Sequence, residues 1–224
     1  ESASFLAACE CVREFGKNPE DASTAVQETA RKKWEALPVW PWCDSIGISP
    51  WEGLWGDFSG EGEQLAFLRS AIDEYRSEVW HEALGGFGVL NTETVRKAER
   101  KYRQERSRRH EVYPGVHETL KAHLEHRFTL VMLTNGAPRV QREKIERSGL
   151  DGYFHHTIIS GELGVGKPDR RIFEHALELT GAKPKQTLMV GDSLMRDIAG
   201  AGKCGITTVW AAFVDPITLY NDYV

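Results

Sequence analysis

The hydrophobic pattern divides this chain into two parts with different periodicity. From residue 1 to about His110 the apolar positions recur at helical spacing, and no segment alternates as a strand does. We predict helices at about 2–15, 22–36, 62–83 and 92–109. The third has an apolar face made of Leu65, Leu68, Ile72, Tyr75 and Val79. Asn91 or Thr92 is suited to cap the fourth.

After Tyr113 short β-rich runs alternate with helical segments. The predicted strands are 128–133, 156–159, 187–190 and 206–211, and the predicted helices are 115–125, 138–148, 169–180 and 195–202. This order is typical of an α/β fold, in which a Rossmann-like parallel sheet carries helices on both faces. We therefore predict a mainly helical domain, 1–112, and an α/β core domain, 113–224. Ligands of such sheets bind where the strands end at their carboxyl side.

A tryptophan-rich segment, 38–60, lies between the second and third predicted helices. Trp40, Trp42, Trp51 and Trp55 stand among prolines and glycines, which predicts a loop. The simpler interpretation is that the indoles anchor this irregular segment to the helices. The alternative is that some of them line a substrate pocket.

The composition limits the kind of partner that the protein can have. Of 224 residues 41% are apolar and 27% are charged, and no apolar run approaches the roughly 18 residues of a membrane span. The net charge of −5 argues against nucleic acid, because binding to a phosphate backbone relies on an excess of Lys and Arg. The basic helix that ends at His110 could form a nucleic-acid patch, but its acidic members favour a solvated face. We expect a small-molecule partner, with no nucleic acid and no membrane.

The cysteines indicate a reducing environment. Cys9, Cys11, Cys43 and Cys204 are scattered and lack the paired spacing of a zinc site. No basic stretch followed by an apolar run, as in a signal peptide, stands near residue 1. The sequence therefore predicts mostly buried, reduced thiols in a cytoplasmic protein.

Three motifs follow predicted strands, and the first is Thr134-Asn135-Gly136. A hydroxyl, an amide and a glycine backbone N–H at the start of a turn are donors suited to phosphate oxygens. The same three residues also make an ordinary turn, so both interpretations stay open.

The second and third motifs carry charge. Lys167 stands between Gly166 and Pro168, which fix its direction, so its ammonium group can neutralise charge at a site, although a loop lysine is more often solvated. Asp192 and Asp197 lie five residues apart after the third predicted strand and can converge on one hard cation, for which Mg²⁺ is the natural choice. The alternative for either aspartate is helix capping.

In this order, each near a strand end, the three motifs resemble those of the haloacid dehalogenase-like hydrolase superfamily. The resemblance is to subfamily I, whose members carry a helical cap, and to its phosphatase branch. It covers about 100 residues of the core and rests on the segments 141–154, 158–179 and 187–210.

The resemblance implies a Mg²⁺-dependent phosphatase that hydrolyses a small phosphomonoester of the nucleotide or sugar phosphate class through an aspartyl-phosphate. The helical domain would be the cap that closes over the site. By this resemblance the catalytic residues are Thr134 and Lys167, the substrate-binding residues are Asn135 and Gly136, and the metal ligands are Asp192 and Asp197.

The nucleophile that this family uses is absent from the 224 residues. The family's chemistry begins at an Asp-x-Asp-x-Thr motif at the end of the first core strand, where the first Asp attacks phosphorus. The segment around Asp215 and Thr218 fails as a substitute, because its threonine lies three residues after the aspartate. We expect a first core strand to precede residue 1 in the parent protein, since a sheet without an interior strand exposes ladder hydrogen bonds.

Two other functions stay open from the sequence. Haloacid dehalogenation uses the same attacking carboxylate but needs no metal, and the pair Asp192 and Asp197 argues against it. A catalytically inactive binding protein would follow if the nucleophile strand were truly absent.

Overall fold

The computed structural model describes residues 2–13, 18–110 and 112–212. Its helical part consists of α1 (Ser2–Val12), α2 (Pro19–Glu35), α3 (Trp40–Ile46), α4 (Pro50–Gly53), α5 (Glu63–Gly85) and α6 (Thr92–Ser107). The four predicted helices are confirmed with shifted ends, although residues 14 and 15 of the first lie outside the described ranges. Helix α2 begins earlier than predicted because Asn18 caps it, accepting a hydrogen bond from Glu20 N at 3.0 Å. Asn91 caps α6 in the same way through Thr94 N.

A single aromatic-rich core holds the helical part together. Helix α1 packs against α2 and α6, and α5 packs against the same two helices. Trp34, Trp80 and Tyr102 are among the largest side chains that are fully buried. The ring of Trp34 meets Tyr75 edge to face with 5.2 Å between centroids, a favourable geometry for two aromatic rings.

The prediction of a loop over 38–60 is wrong at two places, because α3 and α4 form there. Helix α4 begins at a capping box, in which Ser49 and Glu52 satisfy each other's backbone N–H groups. Prolines stand in the first turn of both helices, where they are favoured and do not break the helix. Trp51 and Trp55 are 7% and 6% exposed, so the anchoring interpretation is correct for these two indoles.

The second part follows the predicted alternation of strands and helices. Its elements are α7 (Val116–Glu125), β1 (Val131–Thr134), α8 (Pro138–Arg147), β2 (His156–Ile159), α9 (Ser160–Leu163), α10 (Arg170–Thr180), β3 (Leu188–Gly191), a π-helix (Leu194–Ala199), α11 (Gly200–Lys203) and β4 (Thr207–Trp210). Strand β1 begins later than predicted because Phe128 is 57% exposed and precedes the residues that pair with β2. The predicted last helix is a π-helix followed by α11, and single π-turns are frequent at functional sites.

All strand pairs in the described ranges are parallel. Strand β1 pairs with β2 from Val131 opposite His156, and β3 pairs with β4 from Leu188 opposite Thr207. A compact apolar cluster that includes Ile172 and Phe173 of α10 packs beside these strands. The α/β fold class with a parallel sheet and a helical domain is confirmed, while the domain boundary at 112 stays a prediction.

The two strand pairs do not hydrogen-bond to each other within the described residues. One edge of β1 and one edge of β3 are therefore without a partner strand there. Leu188 and Val190 of β3 are 54% and 56% exposed, although strands of parallel sheets are normally buried on both faces.

The cysteines agree with the expectation of reduced thiols. No disulfide joins any of the four, and Cys9, Cys11 and Cys43 are buried. Burial raises the pKa of the Cys43 thiol to about 12.

As for a bilayer, none of the helices in the described part of the chain combines the length and the apolar character that a membrane span needs.

The close packing of Gly53 against two aromatic rings gives a test of the helical core. A Cβ at Gly53 would lie 2.6 Å from Trp34 Cζ3 and 2.8 Å from Tyr75 Cε1. We expect Gly53→Ala to lower the free energy of unfolding by about 1–3 kcal/mol, because neither buried ring can move away. Urea denaturation measures this loss.

Gly85→Ala is the matched control, since the nearest atom to its added Cβ would be Leu90 Cδ2 at 3.9 Å. Alanine there should be neutral or slightly stabilising. Equal effects of the two substitutions would contradict the packing described for Gly53.

Candidate active site

The loop after β1 is tied to the loop that carries Lys167. Asn135 Nδ2 donates to the backbone oxygen of Lys167 at 2.9 Å, and Lys167 N donates to Asn135 Oδ1 at 2.9 Å. The Asn135 amide is therefore a clamp between two loops. Gly136 N donates to Ser160 Oγ at 2.9 Å, and a Cβ at Gly136 would overlap the side chain of Gln141.

Lys167 occupies the centre of this arrangement. Its Nζ donates to the backbone oxygen of Leu133 at 2.8 Å and lies 2.7 Å from Asp197 Oδ1. The side chains of Lys167 and Asp197 are only 11% and 5% exposed, so the alternative of a solvated loop lysine is wrong. A buried ion pair of this kind fixes the direction of the ammonium group.

The two predicted metal ligands differ in their surroundings. Asp197 is buried, with Oδ1 against Lys167 and Oδ2 accepting a hydrogen bond from Ser193 N at 3.0 Å. Asp192 is exposed, and its carboxylate has no hydrogen bond or ion pair within the described residues. Neither aspartate is the cap residue, because Ser193 caps the π-helix through Arg196 N, but Asp197 accepts from the backbone N–H of that cap as in a capping box, so the capping alternative fails for Asp192 alone.

The chemistry of these donors fits Mg²⁺ at one of the two positions. Magnesium keeps several waters and needs only one or two protein carboxylates together with substrate oxygens. The free carboxylate of Asp192 suits that coordination, whereas both oxygens of Asp197 already have partners. No group of three or more His, Cys, Asp or Glu side chains that could hold a metal occurs among the residues that the structure describes.

Thr134 belongs to a polar network that the sequence did not indicate. Its hydroxyl donates to Gln141 Oε1 at 3.2 Å, and Gln141 Nε2 donates to Glu52 Oε1 at 2.7 Å. Glu52 also pairs with Lys144, so a carboxylate of the helical part is held by two side chains of α8. The Ser49–Glu52 capping box is visible in the sequence, but nothing there shows that Glu52 reaches across to α8.

The predicted site residues therefore fall into two groups. The structure brings Asn135, Lys167 and Asp197 together through side-chain contacts, whereas Thr134, the last residue of β1, bonds to Gln141. Asp192 directly follows β3, and Gly136 turns away to Ser160. Residues 213–224, which include Asp215 and Thr218, lie outside the described ranges.

Comparison with known proteins agrees with this arrangement. The model of a family described as haloacid dehalogenase-like hydrolase matches residues 12–205. The phosphoserine phosphatase of Thermus thermophilus is 36% identical over 185 residues, covering 83% of this chain and 73% of that protein. The glyceraldehyde 3-phosphate phosphatase of Pyrococcus furiosus is 42% identical over 117 residues, about half of each protein (50% and 49%).

Among solved structures, an L-2-haloacid dehalogenase from Xanthobacter autotrophicus covers 97% of this chain and 76% of its own, with a TM-score of 0.56 and 19% identity. At that identity the likeness shows a shared fold.

The extent of the family match places the chain itself in a class of α/β hydrolases. It belongs to the haloacid dehalogenase-like hydrolase family, and the resemblance seen in the sequence is confirmed.

The network around Gln141 gives a test of how firmly the site is held. Gln141 is 6% exposed and joins Thr134 to Glu52. We expect Gln141→Leu to lower the free energy of unfolding by about 1–3 kcal/mol, because buried Glu52 and Thr134 each lose a partner. Urea denaturation of Gln64→Leu, at an exposed position of α5, is the control. An equal effect of both variants would show that the network stabilises nothing.

Proposed function

We propose that this chain forms the phosphate-binding and metal-binding part of a Mg²⁺-dependent phosphatase that hydrolyses a small-molecule phosphomonoester. One observation carries the proposal: the buried ammonium group of Lys167 is fixed between the backbone at the end of β1 and Asp197, while Asp192, whose carboxylate has no partner among the described residues, directly follows β3. A directed cation and an available oxygen ligand at the carboxyl edge of parallel strands suit a phosphoryl group.

Each side chain then has a distinct role. The Thr134 hydroxyl would turn from Gln141 Oε1 to donate to a phosphoryl oxygen, and Lys167 would stabilise the attacking carboxylate and the charge that develops on the phosphoryl group. Asp192 would hold Mg²⁺, which when bound offsets the repulsion between the anionic nucleophile and the phosphate. We assign Asp197, the other predicted metal ligand, to positioning Lys167, because its oxygens already face Lys167 and Ser193 N.

The attacking carboxylate would come from a strand that adds to the sheet. The free edges of β1 and β3 and the exposed Leu188 and Val190 support a strand at this place. Its first Asp would form a bond to phosphorus while the ester bond breaks, and the second would protonate the leaving alcohol. Water would then cleave the aspartyl-phosphate, releasing phosphate and restoring the carboxylate.

The relatives support the reaction class more firmly than any one substrate. The two relatives compared above are named as phosphatases of phosphoserine and of glyceraldehyde 3-phosphate, and a further one, from Escherichia coli, is named as a pyrimidine 5′-nucleotidase. The chain spans about three quarters of the first and less than half of the last. Dehalogenation has support from shared fold alone, and the available carboxylate of Asp192 favours metal-assisted phosphoryl transfer.

The proposal is tested by supplying a nucleophile. The chain is extended ahead of residue 1 by a strand that ends in Asp-x-Asp-x-Thr, and hydrolysis of p-nitrophenyl phosphate is followed with and without Mg²⁺. We expect turnover that requires Mg²⁺ and that falls at least about 100-fold in Asp192→Asn, because the carboxylate that holds the ion is lost.

Asp151→Asn, at an exposed aspartate of a short 3-10 helix before β2, is the matched control and should keep full turnover. No hydrolysis by the extended chain would refute the proposal and favour a binding protein. Turnover that survives complete chelation would contradict the metal role of Asp192.

A further inference from the structure

A small cavity lies between the helical part and the π-helix that follows β3. Its volume is about 220 Å³. Most of its walls come from α2, α3 and α4, and the π-helix contributes one side chain. The polar and aromatic side chains that line it include Arg31, Glu35, Trp40, Asp44, Trp51 and Arg196.

The cavity adjoins the proposed phosphate site. Gly47, in its wall, has a left-handed φ of 76° and touches the site so closely that a Cβ there would lie 2.7 Å from Asn135 Cβ. The same Cβ would lie 3.1 Å from Arg196 Nη1, and Arg196 stands in the chain between Asp192 and Asp197. The part of a substrate that is attached to the phosphoryl group would therefore lie next to this cavity.

The charges in the cavity are balanced but poorly paired with one another. Two cations and two anions line it. Arg196 Nη2 and Asp44 Oδ1 are 4.0 Å apart, at the limit of an ion pair, and both side chains are exposed. Arg31 and Glu35 are one helical turn apart in α2, yet among the described residues neither has an ion-pair partner. These groups are free to pair with a ligand.

The indole rings add a preference for a cation. The guanidinium carbon of Arg31 lies 5.8 Å from the centroid of the Trp51 ring, so this ring already faces positive charge. Trp40 is half-buried on the opposite helix and lines the same cavity. An ammonium group beside the indole of Trp40 and the two carboxylates is stabilised by both.

We propose that this cavity binds the α-amino-acid end of a phosphorylated amino acid, a substrate class that rests on the proposed function. Arg31 pairs with the α-carboxylate, and Glu35 and Asp44 pair with the α-ammonium group. A nucleoside or a second phosphate leaves both acidic side chains facing neutral or negative groups, which disfavours such ligands. The volume is also below the roughly 300–1,000 Å³ of sites for larger ligands.

Four small phosphomonoesters that differ in these two charged groups separate the possibilities. O-phosphoserine carries both groups, 3-phosphoglycerate only the carboxylate, O-phosphoethanolamine only the ammonium, and glycerol 3-phosphate neither. Calorimetric titration of the 224-residue chain with Mg²⁺ measures their affinities without turnover, since the family's attacking carboxylate is not among these residues. We expect O-phosphoserine to bind at least about 10-fold more tightly than each of the others.

Two variants assign the charges to residues. Arg31→Gln should weaken O-phosphoserine and 3-phosphoglycerate by about 10-fold and leave O-phosphoethanolamine unchanged. Glu35→Gln should weaken O-phosphoserine and O-phosphoethanolamine and leave 3-phosphoglycerate unchanged. Arg96→Gln, at an exposed arginine of α6, is the matched control and should change none of the four affinities.

The outcomes distinguish this substrate class from the proposed function. Equal binding of all four esters, or tighter binding of glycerol 3-phosphate, would overturn the amino-acid proposal while supporting a phosphate site. Binding of none of them would overturn both. Selectivity for O-phosphoserine that persists in both Arg31→Gln and Glu35→Gln would overturn the assignment to this cavity.

Discussion

The ion pair between Lys167 and Asp197 is the contact on which the arrangement of the site depends. Lys167 Nζ also binds the backbone oxygen of Leu133, so one ammonium group joins the end of β1 to the segment after β3. The two strand pairs share no hydrogen bonds in the described ranges, so this side chain links them beside the apolar cluster that includes Ile172 and Phe173. Because both partners are buried, salt screens their attraction little, and loss of either would leave an unpaired charge.

A second set of contacts orients the helical part over the strands. Ser160 Oγ, next to β2, donates to the backbone oxygen of Ile46 at 2.6 Å, at the end of α3. Glu52 of α4 binds Gln141 and Lys144 of α8. These contacts place the short helices α3 and α4 against the loop of Asn135. The same two helices supply the cavity walls, so the fold brings a potential specificity pocket next to the phosphate-handling residues.

The sequence was informative wherever a local pattern determines structure. Strand 156–159 and the parallel order follow from short apolar runs alternating with amphipathic helices, and Asn91 was recognisable as a cap. The meeting of Lys167 and Asp197 at the end of β1 agrees with the expectation that ligands of parallel sheets bind where the strands end. The prediction of a loop over 38–60 is wrong at α3 and α4. The prolines there stand in the first turn of each helix, where they are favoured, and do not interrupt it.

What the sequence could not show were contacts between distant segments. Gln141 and Glu52 are 89 residues apart, and no local pattern announces their hydrogen bond. Asp192 and Asp197 also differ in their surroundings because Lys167 forms an ion pair with Asp197. The sequence of the loop that carries Lys167 does not show which carboxylate its side chain contacts. The two cations and two anions that line the cavity come from α2, α3 and the π-helix. Their proximity is visible only after these elements have packed together.

A double-mutant cycle on Lys167→Met and Asp197→Asn, followed by urea denaturation, tests the central ion pair most directly. Each single substitution should lower the free energy of unfolding by about 3 kcal/mol, because it leaves a buried charge without its partner. The double variant should lose little more than either single one, giving a coupling energy of about 2 kcal/mol or more. Additive losses, or single losses below about 1 kcal/mol as for exposed pairs, would contradict the account.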